Sequence, residues 1–204
     1  MKRSVEFFEE EHVYLVDGVA KPSVTTIISP ITSAHYGAIK PVAVETARIR
    51  GSFVHEATQL IDYGFQPEIP YEVAGYVKAY LSFLRDYSPE WHGIEEIVYD
   101  DIADVCGTVD RYGIIDGKYA VVDIKAQNSP SVENRISVCA QTAEYARALK
   151  KPDAKRYGLF LKSDGKYVRF DCIKYEEKRN FNGFSLFDRL LGTHNEIERI
   201  KNGK

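Results

Sequence analysis

Cysteine is scarce in this chain and follows no pattern: Cys106, Cys139 and Cys172 are the only three in 204 residues. An odd number without a Cys-x-x-Cys pair supplies neither a disulfide framework nor a structural zinc site. A reduced, cytoplasmic setting is expected. The three are evenly spaced, but their sequence contexts share nothing, so no repeat is inferred. Long apolar runs are missing too. No segment is long enough to span a membrane, and the opening MKRSVEFFEEEH has no apolar stretch of the export-signal kind. Nor does one sign of charge dominate. A net charge of −3 exerts no global pull on nucleic acid, so any surface for it must be a local strip. Linkers and low-complexity stretches are lacking. What is there is 44% hydrophobic residues, enough for a sizeable core. Residues 1–204 are therefore expected to form a single domain. Its parts would be an N-terminal hairpin and helices over 1–90, a sheet and helix over 91–172, and a helical segment over 173–204.

Period-two and period-three-to-four patterns divide the chain. Residues 4–16 read as two short strands leading into an Asp17-Gly18 turn. SVTTIISP reads as a short helical piece ending at Pro30, and 32–41 as a loop. Helices are expected over about 42–63, with Gly64 as a stop, and over 71–87 before Pro89. Strands follow near 94–100, 105–115 and 119–126. Ser131 can cap a helix over 132–149, and a hairpin over 157–161 and 167–172 turns at Asp164-Gly165. A last helical segment breaks near Gly183. This order predicts an α/β fold with a central mixed β-sheet flanked by helices.

The densest chemistry lies in the hairpin around Asp116-Gly117, a strong two-residue turn signal between alternating apolar residues. With those two at the turn, Ile115 pairs with Lys118, and counting back sets Asp110 opposite Asp123, with Cβ atoms about 5 Å apart. Lys125 shares their face, while Val122 and Ile124 point the other way. Opposed carboxylates destabilise a sheet. A divalent cation held by oxygen ligands, with Lys125 beside it, would compensate. The plainer alternative is a solvated hairpin whose lysine neutralises the acids. The apolar Ile114, Ile115, Val121, Val122 and Ile124 argue against it.

Asp110 followed by Asp123-Ile124-Lys125 resembles the core motif of the PD-(D/E)XK nuclease superfamily, with Val109 where the motif's proline would stand. Gly107 to Asp110, then Asp123 to Lys125, is similar to the RecB-like and phage-type exonuclease branch. That branch also has a Gly-x-x-x-His segment upstream and a Gln-x-x-x-Tyr segment downstream. Here these are Gly51 to His55 and Gln141 to Tyr145, in matching order. The resemblance covers positions 51–145, and HVYLVDGVAKPSVTTII also looks like the start of phage-type members. It implies a restriction-endonuclease-like core. It also implies a metal site drawing on His55, and Gln141 and Tyr145 lining the site against the substrate strand. Some relatives bind an iron–sulfur cluster on four cysteines, but three scattered ones cannot supply it.

His55 lies one helical turn after Gly51, which leaves room for close approach. Its neighbour Glu56 points about 100° away and reads as surface charge. Glu144 reads as solvated. The resemblance also implies a glutamate on the preceding strand pointing at the metal; strand alternation allows only one of Glu95 and Glu96 to do so, and Glu95 is favoured. The run of Arg147, Lys150, Lys151, Lys155 and Arg156 reads either as a solvated helix end or as a phosphate grip.

The expectation is a Mg²⁺- or Mn²⁺-dependent deoxyribonuclease acting on DNA, most simply an exonuclease. Asp110, Asp123 and Lys125 would be catalytic. His55, Asp110, Asp123, the Ile124 carbonyl and Glu95 would bind one or two ions, and Gln141 and Tyr145 the substrate. A homo-oligomer or a recombination or repair partner protein is compatible with this. Two rivals remain: a DNA-binding or assembly module that keeps the fold without cutting, and a hydrolase using the two aspartates directly as acid and base.

Overall fold

The computed structural model describes residues 3–8, 11, 13–36 and 41–203. Three short strands, β1 (Val5–Phe8), β2 (Val13–Val16) and β3 (Val19–Lys21), form an antiparallel sheet. A second sheet has five strands in sequential order: β4 (Glu90–Asp100), β5 (Val105–Ile115), β6 (Lys118–Ala126), β7 (Lys155–Leu161) and β8 (Tyr167–Asp171). All its pairings are antiparallel except β6 with β7. That parallel step is bridged by α4 (Val132–Ala148). The sheet is therefore mixed and flanked by helices, as expected.

Local chemistry accounts for these elements. Asp116 and Gly117 both have positive φ, 51° and 71°, the signature of the turn that matches strand twist. The β5–β6 ladder runs from Ile115–Lys118 back to Arg111–Val122, in the expected register. Ser131 caps α4, accepting from Asn134 N while Asn134 Oδ1 accepts from Ser131 N. The helix α2 (Pro41–Asp62) ends where Gly64 takes φ 84°. Next comes α3 (Tyr71–Tyr87), and the chain closes with α5 (Cys172–Arg179) and α6 (Gly183–Lys201).

One boundary differs from expectation. The helix α1 (Val24–Tyr36) continues through Pro30. Proline removes one N–H and so orphans the Thr26 carbonyl. The Ser29 hydroxyl donates to that carbonyl at 2.9 Å, which removes the main penalty of continuing. Half of the expected 32–41 loop is thus helix, and residues 37–40 lie outside the described residues.

Two apolar layers sandwich the five-stranded sheet. On one side α2 and α3 bring Val54, Tyr76, Tyr80 and Phe83 against Ile115, Val122, Ile124 and Leu159. On the other, α1, α4 and α6 bring Ile27, Ala140, Tyr145 and Phe187 against Val105, Val109 and Val121. The central strands β5 to β7 are thus covered on both faces. No helix among the described residues is long and apolar enough to cross a membrane.

Candidate metal centre

A groove of about 510 Å³ opens between α1, α2, α4 and the end of β6, and His55, Lys125 and Gln141 line it. Three acids lie around these residues. Asp110 and Asp123 are 7% and 1% exposed. The β5–β6 ladder stops one residue short of them, at Arg111–Val122. Beyond that pair, the Asp110 side chain replaces a strand partner: its Oδ2 accepts from Ile124 N at 2.6 Å. The neighbouring β4 is distorted at the same level, where Glu95 has φ 47° in mid-strand. Non-glycine residues take that conformation at a cost of order 1–3 kcal/mol, and such strain clusters at functional sites.

His55 connects the groups. Its Nε2 lies 3.0 Å from the Ile124 carbonyl and 3.9 Å from Asp110 Oδ2. Its Nδ1 lies 3.2 Å from Glu95 Oε1. His55, Glu95 and Asp110 offer one ligand atom each, all within 4.8 Å of one another. Lys125 Nζ donates to Asp123 Oδ1 at 2.7 Å. Asp123 Oδ2 is buried and accepts no hydrogen bond. An orphaned carboxylate oxygen is costly in a protein interior, and a cation would satisfy it.

The electrostatics carry the same imprint. Burial pushes the Asp110 carboxyl up, and although His55 opposes this, Asp123 and Glu95 add to it, bringing the value to about 6. Burial works against a charge on His55. The carboxylates of Asp110 and Glu95 outweigh it and raise the imidazole to about 9. Glu95 behaves differently: although burial works against its charge, His55 and Arg111 hold its carboxyl below the usual value.

The donor set fits a hard divalent ion. Carboxylates, a backbone carbonyl and one imidazole suit Mg²⁺ or Mn²⁺. Adjacent ligands of an octahedral ion, each about 2.1 Å from it, lie about 3 Å apart. The 3.0 Å between His55 Nε2 and the Ile124 carbonyl matches that spacing.

Of the expected site residues, the structure gathers Asp110, Asp123, Lys125, His55, Glu95 and the Ile124 carbonyl. Glu96 turns away and accepts from the Tyr112 hydroxyl at 2.5 Å. Gln141 lines the groove as expected, but Tyr145, expected to line it too, lies behind it, 2% exposed and packed in the core, with its hydroxyl accepting from Gln141 Nε2 at 3.2 Å. Gly107 makes room for that ring: a Cβ there would come within 2.6 Å of Tyr145 Cε1. A Cβ at Gly51 would meet nothing within 4 Å, so no protein contact demands that glycine. Glu56 is exposed, as expected.

Two expectations are corrected. Glu144 is fully buried rather than solvated, because it pairs with Arg147 beside the equally buried Asp100. In the basic run, Arg147 also reaches Asp188 at 2.7 Å, and Arg156 is held in a buried pair with Glu176 at 2.8 Å. Internal acids hold both arginines, whereas Lys150 and Lys151 of the run are exposed just past the end of α4, as the solvated-helix-end alternative has it.

Sequence reasoning missed Arg111 and Arg50. Arg111 is fully buried and donates to Asp62 at 2.6 Å and to Glu95 at 2.9 Å. An arginine inside an apolar strand is itself a signal, since such a charge must find partners. Arg50 lines the groove and its buried Nε has no hydrogen-bond partner. Nothing in its local pattern marked it.

No family model and no curated protein matches this chain. Among solved structures it is similar to the crystal structure of LHK-Exo in complex with dAMP, with a TM-score of 0.37 and 13% identity over 90% of this chain and 93% of that one. A superposition that loose transfers no residue role.

Proposed function

We propose that the protein is a metal-dependent nuclease that hydrolyses DNA phosphodiesters at the groove, as an exonuclease leaving 5′-phosphate ends. The observation that carries this reading is the orphaned Asp123 Oδ2, buried beside Asp110 with Lys125 on its other oxygen. A purely binding protein gains nothing from that arrangement. An acid–base hydrolase gives no role to Lys125 beside Asp123.

Asp110, Asp123, His55 Nε2 and the Ile124 carbonyl would hold one or two Mg²⁺ or Mn²⁺ ions. Such an ion, when bound, polarises the scissile phosphate and lowers the pKa of the attacking water. Lys125 reaches the groove from beside Asp123. There it orients the water and offsets negative charge as it develops on the phosphate. Gln141 presents its amide to the strand, and Tyr145 braces Gln141 from behind. The apolar strands around the acids keep bulk water out and strengthen these interactions.

Incubation with linear and closed circular DNA, with Mg²⁺ or Mn²⁺, beside Lys125→Ala and Asp123→Ala, tests the reading. Loss of linear DNA alone, abolished by chelator and by both substitutions, is expected. Attack on circles would make the enzyme an endonuclease. Binding without any cleavage would leave a DNA-binding module.

A further inference from the structure

We infer that Glu95 is a positioning residue for His55 rather than a metal ligand, and that Arg111 locks it in that role. The inference rests on the metal-centre reading above and deepens it. An imidazole offers one nitrogen to a given ion. The two nitrogens of His55 face different partners: Nε2 faces the Ile124 carbonyl and Asp110, and Nδ1 faces Glu95. An ion on Nε2 would have the Ile124 carbonyl and Asp110 beside it, while Glu95 is held at the other nitrogen. The orphaned oxygen of Asp123, its proximity to Asp110 and the carbonyl that Nε2 faces favour the Nε2 side.

Arg111 decides the point. The Glu95 oxygen that meets Nδ1 is the same Oε1 that accepts from Arg111 Nη1 at 2.9 Å. A cation inserted at Nδ1 would sit against a fully buried guanidinium. Arg111 is itself fixed by Asp62 at 2.6 Å, and Asp62 also accepts from Tyr80 and Trp91. This chain of bonds reaches His55 from the core side. The positive φ of Glu95 is the local cost of aiming its carboxylate at Nδ1. With Nδ1–H donating to Glu95, Nε2 is left as the lone pair for metal, and a carboxylate behind a ligating histidine raises its basicity.

The test is a double-substitution cycle read by Mn²⁺ titration calorimetry on the full chain, independent of cleavage. Glu95→Gln should weaken Mn²⁺ binding about 10- to 100-fold. Added to His55→Ala, it should cost nothing further, because its effect passes through His55. An equal loss in the His55→Ala background would make Glu95 a ligand and overturn the inference, as would wild-type affinity in Glu95→Gln. Histidine ¹⁵N spectra of the Mg²⁺-loaded wild-type chain, which need no variant to fold, should show His55 protonated at Nδ1. A proton on Nε2 instead would overturn it. Absence of any Mn²⁺ binding to the wild-type chain would remove the metal centre itself.

Discussion

Two clusters of buried acids among the described residues differ in the cations that face them and in their access to solvent. Asp100 and Glu144 are both fully buried, and Arg147, itself tied to Asp188, pairs with each. Asp110 and Asp123 are almost as deep; Lys125 donates to Asp123 Oδ1, and Asp123 Oδ2, like Asp100 Oδ2 and Glu144 Oε1 in the first cluster, accepts no hydrogen bond. The first cluster faces the packed side of α4. The second adjoins a groove. The first cluster has a guanidinium between its two carboxylates, whereas the second is held by an imidazole and an ammonium at the edge of a groove. The groove, rather than the charge balance, is what opens the second cluster to something from outside.

The largest effect expected from breaking this contrast is catalytic. Asp123→Asn keeps the shape but removes the charge. It should lower cleavage about a thousandfold or more, since metal stabilisation of the transition state amounts to several kcal/mol and each 1.36 kcal/mol is a factor of ten. Residual activity near wild type would place the chemistry elsewhere. Next in size is damage to a closed ion pair. Arg156→Ala leaves Glu176 buried and uncompensated, and chemical denaturation should register a loss of about 3–5 kcal/mol.

A smaller effect has the opposite sign. The folded-state carboxyl of Asp110 is raised to about 6 from 3.8. Its contribution to stability is held below pH 3.8 and lost as pH rises through 6. At neutral pH without metal the ionised group is thus a net cost, and Asp110→Asn should raise the melting temperature by a few degrees while activity falls. A fall in melting temperature would mean the charge is already compensated. Smallest is the response of the closed cluster to pH. Burial, with help from Asp100 and against Arg147, raises Glu144 to about 8 from 4.5. Its stabilisation is present below 4.5 and fades as pH rises through 8. Glu144→Gln should flatten the melting curve's pH dependence over that window. An unchanged slope would assign the dependence to other groups.

Much of this was legible in the residues. The Asp116-Gly117 turn set the register that converges on Asp110 and Asp123, and alternation put Lys125 with Asp123. What periodicity could not show was where the ladder ends. The Asp110 side chain takes the Ile124 N–H that a strand partner would have bonded, and that substitution depends on three dimensions. Glu144 was misread for a similar reason. A glutamate on a helix is usually solvated, and only the return of β4 and α6 against α4 brings Asp100 and Asp188 to Arg147 beside it. Pro30 looked like a helix end because the hydroxyl that rescues it is one residue away and invisible to propensity.

The central claim is that the acids beside the groove, and not the acids at Arg147, take up a divalent ion. Crystals soaked in Mn²⁺ and measured at a wavelength where manganese scatters anomalously test it most directly. A peak bounded by Asp110, Asp123, His55 Nε2 and the Ile124 carbonyl is predicted. A peak beside Asp100 and Glu144, or none at the groove, would contradict it.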